Sequence, residues 1–337
     1  MDGSSDKSGL GFAIGPHRVS SGLTLAPMAG NTNLAYRRLC RRFGAELTTT
    51  EMVSSRALVH GDEKSLGMLE RGEEERPVAA QVFGAEPDVL AEAARRIEAR
   101  GYHIVDLNVG CPVPKITGGG GGSALLLEPE LAARCIAAMA AAVSIPVTVK
   151  IRAGWDDDNR NAPEFAARME QAGAQAVTVH GRTRAQKYTG HADYELIGKV
   201  VAAVAVPVIG NGDVTDVASA SRLAATGVRG IAIGRGALGA PWIFAQLRAW
   251  QAGEAVPPAP GLEARAELMV ELGRGVVALY GERRGMRIMR RLAADFIKGM
   301  SGAPKLRAES NRLEAPADLD QLAANMRELA QQAAVPG

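Results

Sequence analysis

Cysteine is scarce in this sequence, and its three cysteines, Cys40, Cys111 and Cys135, lie far apart among 337 residues. An odd number at wide spacing argues against a disulfide framework, and no pair has the spacing of a metal site. We therefore predict free thiols, a reducing compartment and no bound metal.

Long apolar segments and a strong excess of either charge are also missing. No run of apolar residues is long enough to span a bilayer, and the N-terminal stretch MDGSSDKSGLGFAIGPHR has no apolar core of a secretory signal. We expect a soluble, cytoplasmic protein without a membrane partner, and nothing in the sequence suggests a protein partner. The net charge is only +2, so a surface for nucleic acid must come from local clustering of basic residues.

What the sequence does contain is a regular alternation of short apolar runs and Ala-rich amphipathic stretches. Several stretches begin with Asp, Asn or Pro and end with Gly, as capped helices do. Continuous apolar strands between such helices predict a parallel sheet covered by helices. Eight units over roughly 220 residues favour a (β/α)8 TIM barrel over an open doubly wound sheet. The eight runs are residues 23–28, 45–52, 77–84, 103–110, 145–154, 174–181, 206–213 and 229–236.

The alternation stops near residue 250, where QAGEAVPPAPG has the composition of a linker. We predict three parts: an N-terminal extension over residues 1–20, a catalytic barrel over 21–250, and an all-helical domain over 251–337.

Polar and glycine residues concentrate at the ends of the predicted strands, which form the active-site face of a barrel. The last two strands end in NGD and IGRGALG, which predict a phosphate site because glycine permits close approach of the backbone. GRGALG also fits the pattern GxGxxG, but it closes the last unit instead of opening an early one, which disfavours a dinucleotide fold.

A terminal phosphate site together with Lys150 at the end of the fifth strand suggests FMN, because a fixed cation stabilises a reduced flavin. His180 and Gln81 are candidates for further ring or ribitol contacts, although Gln81 is equally explained as a core amide.

Seven motifs between residues 23 and 245 resemble the tRNA-dihydrouridine synthase family, in particular its bacterial B type. They are LAPMAGNTN, QVFG, DLNVGCPVPK followed by GSALL, VTVKIRAGW, VHGRTR, VIGNGDV and AIGRGALGAPWIF. The resemblance implies FMN-dependent reduction of uridine to 5,6-dihydrouridine in the D-loop of tRNA, with NADPH as reductant. It also implies that the flavin delivers hydride to C6 of the uracil while Cys111 donates a proton to C5.

The resemblance also assigns binding residues. It places Asn108 against the uracil and the flavin. Arg152, at the end of the fifth strand, is a further candidate for contact with the substrate, and Arg287 and Arg290 are candidate RNA contacts because they belong to a cluster of basic residues. The implied FMN contacts are Pro27, Met28, Ala29, Gln81, Lys150, His180, Asn211, Gly212, Asp213, Gly234 and Arg235.

Two further segments have two interpretations each. Five consecutive glycines, residues 118–122, form either a lid over the base or a low-complexity loop without a role. Residues 282–312 contain nine Lys or Arg against three acids, which fits either an RNA-binding surface or a solvated basic helix. A shorter basic run, residues 36–42, is predicted to be the outer face of the first barrel helix.

Two other functions remain open at this point. One is an FMN barrel reductase of a free pyrimidine, of the dihydroorotate or dihydropyrimidine type. The other is a tRNA-binding protein without chemistry, against which Cys111 and Lys150 argue.

Overall fold

The structure is a computed structural model that describes residues 9–300 and 302–334. Its strands are β1 (Phe12–Ile14), β2 (His17–Val19), β3 (Leu23–Leu25), β4 (Leu47–Thr49), β5 (Val53–Ser54), β6 (Val78–Phe83), β7 (Ile104–Val109), β8 (Val147–Arg152), β9 (Val177–His180), β10 (Val208–Asn211) and β11 (Gly230–Ile233).

The helices follow the strands as the alternation predicts. They are α1 (Leu34–Arg42), α2 (Ser55–Val59), α3 (Glu63–Met68), α4 (Pro87–Ala99), α5 (Pro114–Thr117), α6 (Pro129–Ala142), α7 (Ala162–Gln171), α8 (Tyr194–Ala203), α9 (Val217–Ala224), α10 (Ile243–Ala252), α11 (Leu262–Tyr280), α12 (Glu282–Ile297), α13 (Ala303–Ser310) and α14 (Pro316–Ala334). Two 3₁₀ helices cover Gly122–Leu127 and Arg235–Ala237.

Eight parallel strands close into a barrel. The order is β3, β4, β6, β7, β8, β9, β10 and β11, and β11 pairs with β3 through Ile231 and Leu23. The short strand β5 pairs with the end of β6 outside this ring. The predicted (β/α)8 TIM barrel is confirmed, and the open doubly wound sheet is wrong because the two edge strands pair with each other.

The hairpin of β1 and β2 packs against the barrel interior. Phe12, Ile14 and Val19 belong to one buried cluster with Leu47 and Ile104 of the barrel strands. Burying these apolar side chains together contributes about 25 cal/mol per Å² of area removed from water. The predicted extension over residues 1–20 therefore includes a packed hairpin, and its first eight residues lie outside the described part of the chain.

The helical segment, which we define as residues 262–334 (α11 to α14), packs against the barrel. Gly275 of α11 lies so close to α1 that an added Cβ would be 3.0 Å from Ala35 Cβ, and Glu271 of α11 accepts a 2.5 Å hydrogen bond from Arg42 of α1.

Among the described residues, no helix combines the length and apolar character needed to cross a membrane. The boundaries at residues 20 and 250 stay predictions.

Candidate active site

A cavity of about 630 Å³ opens at the carboxyl end of the barrel strands. Every predicted site residue except Arg287 and Arg290 lines it. Those residues are Pro27, Met28, Ala29, Gln81, Asn108, Cys111, Lys150, Arg152, His180, Asn211, Gly212, Asp213, Gly234 and Arg235. The closed barrel brings them together because all its parallel strands end on the same face.

A chain of side-chain hydrogen bonds runs from the barrel interior to the cysteine loop. Thr148 Oγ1 donates to Asp106 Oδ1 at 2.6 Å, and Gln81 Nε2 donates to Asp106 Oδ2 at 2.7 Å. Asn108 Nδ2 donates to Gln81 Oε1 at 2.8 Å, and Asn108 Oδ1 accepts from the Cys111 N–H at 2.9 Å. Both amides are therefore oriented by buried partners, and Gln81 is a satisfied core amide that also lines the cavity.

The backbone of Cys111 is hydrogen-bonded, and its thiol is buried. Its carbonyl oxygen accepts hydrogen bonds from Ser123 N at 3.1 Å and from Ser123 Oγ at 2.9 Å. Burial raises the pKa of the thiol, although the Val113 N–H and the Arg152 charge act in the opposite direction. At neutral pH the side chain is a thiol, the form that can donate a proton.

The five glycines form a tight turn between α5 and the following 3₁₀ helix. Gly118 N–H donates to Pro114 O at 2.8 Å, and Gly120 N–H donates to Thr117 O at 3.0 Å. Gly122 has φ 58°, and a Cβ there would lie 2.8 Å from Cys111 O. Glycine is required at residue 122 because any side chain would press on the cysteine loop. A lid role stays a prediction.

Lys150 and His180 lie on the adjacent strands β8 and β9, two positions apart in register. Lys150 Nζ donates to Asn211 Oδ1 at 3.0 Å. Burial first, and the Arg152 charge second, lower the pKa of Lys150 to about 8, while Asp106 opposes the shift. Burial and the nearby cations, Lys150 first among them, hold the pKa of His180 well below its usual value, so its imidazole is neutral.

The glycines at the ends of β10 and β11 line the cavity, and their role as a phosphate cradle stays a prediction. Gly212 has φ 133°, and a Cβ there would lie 2.6 Å from Ala192 Cβ. The next residue, Asp213, accepts from Arg182 Nη2 at 2.7 Å and from Ala192 N–H at 2.8 Å. Burial acts to raise the pKa of Asp213, but these donors hold it below its usual value. The carboxylate therefore fixes the shape of this loop.

Comparison with known proteins agrees with the geometry of the site. The family model for dihydrouridine synthase (Dus) matches residues 24–334 of the chain. The chain belongs to the dihydrouridine synthase family. Members of this family are flavin-dependent oxidoreductase enzymes, so the chain is an enzyme of that class.

Two curated relatives and one solved structure illustrate the similarity. A probable tRNA-dihydrouridine synthase of Rickettsia bellii is 42% identical over 305 residues, 90% of this chain and 94% of that protein. The tRNA-dihydrouridine synthase B of Pseudomonas aeruginosa is 43% identical over 318 residues, 94% of each chain. Histamine dehydrogenase from Rhizobium sp. 4-9 is similar in fold, with a TM-score of 0.60 and 11% identity over 98% of this chain and 65% of that one.

In this Dus chain, Arg152 connects two loops at the cavity wall. Its Nε donates to Gly110 O at 2.6 Å, and its Nη1 donates to Thr183 O and to Lys187 O, both at 3.0 Å. The guanidinium therefore joins the cysteine loop to the loop after β9. The predicted contact of Arg152 with the substrate stays a prediction.

Several residues that line the cavity were not among the predicted set, among them Asn31, Met52, Tyr188 and Lys298. Tyr188 lies in an irregular loop, its side chain is 57% exposed, and Arg235 stacks over its ring at 4.8 Å. No strand end or motif marks Tyr188 or Lys298, so their places follow only from the folding of distant segments onto the cavity mouth.

The helical segment also supports the loop after β3. Arg291 of α12 donates hydrogen bonds to Gly30 O and to Asn31 Oδ1. The N–H of the same residue, Gly30, donates to Glu51 Oε2 at 2.5 Å. The loop that contains the predicted flavin contacts is thereby held by the barrel and by α12 together.

Arg287 and Arg290 lie on α12 outside the cavity. Arg287 is exposed, whereas Arg290 Nε donates to Leu313 O at 2.9 Å and Nη2 lies 3.9 Å from Glu314 Oε1. Arg290 therefore has a structural role in joining α12 to the segment before α14.

Within residues 9–300 and 302–334, no group of His, Cys, Asp or Glu could hold a metal ion.

Proposed function

We propose that this protein reduces uridine to 5,6-dihydrouridine in the D-loop of tRNA, with bound FMN and with NADPH as reductant. The single observation that carries the proposal is that Cys111, Asn108 and Lys150 share one cavity at the carboxyl face of the barrel. The relatives named tRNA-dihydrouridine synthase, which align over nine-tenths of this chain or more, support the same reaction.

The residues of the cavity fit a phosphorylated flavin. Its volume of about 630 Å³ is within the usual range for sites of small ligands and cofactors. The backbone at Gly212 and Gly234 would hold the phosphate, and Lys150 would lie beside the electron-rich part of the ring system. When bound, FMN supplies the hydride that the uracil ring accepts at C6.

The protein itself supplies the proton and the orientation of the base. Cys111 retains its proton at neutral pH because burial raises the pKa of its thiol, and that proton goes to C5 of the uracil. The amide of Asn108, fixed by Gln81 and by the Cys111 N–H, offers a defined hydrogen-bonding edge for the base.

The RNA must deliver one base into the cavity. Because a stacked uridine hides both faces of its ring, the base has to leave the stack before it reaches Cys111. The basic residues of α12, including the exposed Arg287, would bind the phosphates of the surrounding RNA. A tRNA substrate also places the proposed reaction in the cytoplasm.

The first experiment is to incubate the protein with unmodified tRNA, FMN and NADPH and to map dihydrouridine by mass spectrometry. We expect dihydrouridine at D-loop positions and none with Cys111→Ala. Free uridine and dihydroorotate in parallel reactions test a pyrimidine reductase. Turnover of a free pyrimidine without any product in tRNA would refute the proposal.

A further inference from the structure

The cavity contains more positive than negative charge. The described residues that line it include four Lys or Arg side chains, Lys150, Arg152, Arg235 and Lys298, but a single carboxylate, that of Asp213. A recess with low-dielectric walls and one dominant sign of charge concentrates ligands of the opposite sign. The cavity therefore favours anionic ligands. The four cations differ in the partners that each of them contacts.

Three of these cations have partners within the protein. Lys150 donates to Asn211 at 3.0 Å. Arg152 is hydrogen-bonded to carbonyl groups of two loops. Arg235 lies 3.4 Å from Asp213 and stacks on Tyr188.

Lys298 differs from the other three. It is exposed, and its side chain makes no hydrogen bond or salt bridge to any residue in the described part of the chain. Burial raises the pKa of Asp295, one turn earlier, and the charges of Arg291 and then Lys298 act in the opposite direction. It is also the one cavity residue that the described part of the helical segment supplies.

The position of Lys298 is set by two contacts that α12 makes with barrel loops. Lys298 is the C-cap of α12. The last turn of α12 packs directly on the loop after β11, since a Cβ at Gly239 would lie 2.1 Å from Asp295 O. Two turns before Lys298, Arg291 bonds Gly30 and Asn31 of the loop after β3. The ammonium is thus carried to the cavity mouth by a helix that is fixed to two barrel loops.

We propose that Lys298 binds a phosphate of the tRNA backbone beside the nucleotide whose base enters the cavity. When a base is extruded, its ribose and flanking phosphates stay at the entrance, and an unpaired cation at that place would bind one of them. Lys298 also continues the exposed basic face of α12, which includes Arg283, Arg284 and Arg287. The proposal rests on the proposed tRNA substrate.

The FMN phosphate is the other phosphate that this cavity would receive. The glycines at the ends of β10 and β11 already provide a backbone cradle for it, on barrel loops rather than on the helical segment. We therefore assign Lys298 to the RNA, and the experiment measures both ligands.

The test compares holoenzymes that carry Lys298→Gln, Lys298→Arg and Lys64→Gln. Lys64 is an exposed lysine of α3 that does not line the cavity, so its substitution removes the same charge elsewhere. For each protein, the Kd of unmodified tRNA is measured at several salt concentrations, and the Kd of FMN is measured separately by flavin fluorescence. Thermal melting shows that each variant is folded.

We expect Lys298→Gln to raise the Kd of tRNA several-fold and to reduce its salt slope by about one. Lys298→Arg should retain the affinity, and Lys64→Gln and all FMN affinities should be unchanged. A weaker Kd for FMN with an unchanged Kd for tRNA would overturn the assignment, as would equal effects of Lys298→Gln and Lys64→Gln. Because these are binding measurements, absence of dihydrouridine from the wild-type reaction would refute the proposed function without deciding the role of Lys298.

Discussion

Lys150 Nζ lies 3.0 Å from Asn211 Oδ1, a contact that joins β8 to β10 across the intervening strand β9. Asn211 is itself fixed, because its Nδ2 donates to Ala232 O of β11 at 2.7 Å. The ammonium is thereby held in place by contacts that join β8, β10 and β11. Its position in the cavity is therefore determined before any ligand binds.

The first prediction concerns the pH dependence of flavin binding. The pKa of Lys150 is lowered to about 8, so the residue loses its charge as pH rises through that value. An anionic ligand favours the protonated form, and FMN affinity should be greatest below pH 8 and decrease above it. Titration of the apoprotein with FMN at a series of pH values measures this change, and Lys150→Met should bind weakly without the transition near pH 8.

The same shift determines the sign of a stability effect. Between pH 8 and the ordinary lysine value of 10.5, the unfolded chain holds a proton that the folded apoprotein has lost. The contribution of Lys150 to the free energy of unfolding therefore rises with pH over that range. Lys150→Met should lack this contribution, and an identical pH profile for the two apoproteins would contradict the assignment.

The second prediction concerns Cys111 as the proton donor. Cys111→Ala should bind FMN normally and lose about 10²- to 10⁴-fold in the rate of uridine reduction, the usual contribution of a general acid. Cys135→Ala is the matched control, because its thiol is also buried but lies on α6 outside the cavity. Single-turnover rates with prereduced enzyme and tRNA provide the measurement.

The pH profile offers a second check on Cys111. Because burial raises the pKa of the thiol, the protonated form persists above the ordinary value of 9.0. With FMN kept saturating, so that its weaker binding above pH 8 does not limit the reaction, the rate of the wild-type enzyme should therefore remain constant up to that pH and decrease only beyond it. A rate that decreases near neutral pH, in step with thiol ionisation, would contradict the structure.

The third prediction distinguishes two members of the glycine run. Gly122→Ala places a Cβ 2.8 Å from Cys111 O at φ 58°, which should displace the cysteine loop and reduce turnover while leaving FMN bound. Gly119→Ala meets nothing closer than Ile116 O at 3.6 Å and should retain full activity. Equal activity of the two variants would mean that the loop adapts freely.

The fourth prediction concerns a buried ion pair between α1 and the segment before β6. Glu75 and Arg37 are fully buried and 2.8 Å apart, and Glu75 also accepts from Gly72 N–H at 3.0 Å. Glu75→Ala leaves Arg37 charged and unpaired and should reduce the free energy of unfolding by about 3–5 kcal/mol. The neighbouring pair of Glu74 and Arg38 is exposed, so Glu74→Ala should cost less than about 1 kcal/mol. Chemical denaturation of both variants makes the comparison.

Local patterns predicted the barrel and most of the cavity. The eight apolar runs became the eight barrel strands because buried parallel strands need continuous apolar residues, and residues at the ends of such strands share one face. The interpretation of residues 36–42 as an outer face was wrong for Arg37, which is buried against Glu75. Helical periodicity does not reveal that a charged partner from a distant loop will cover one position.

The amino-acid sequence alone determined the order of strands and helices, the glycine cradle, and the presence of Cys111, Lys150 and Asn108 at strand ends, because these depend on local periodicity and residue chemistry. Only the tertiary structure decided that Arg291 holds the loop at Gly30, that Arg182 pairs with Asp213, and that Lys298 reaches the cavity. Each of these relationships joins segments that lie far apart in the chain or in separate loops. They form when the barrel closes and α12 packs against its loops. Burial of the apolar face of the helical segment then determines the positions of its polar side chains.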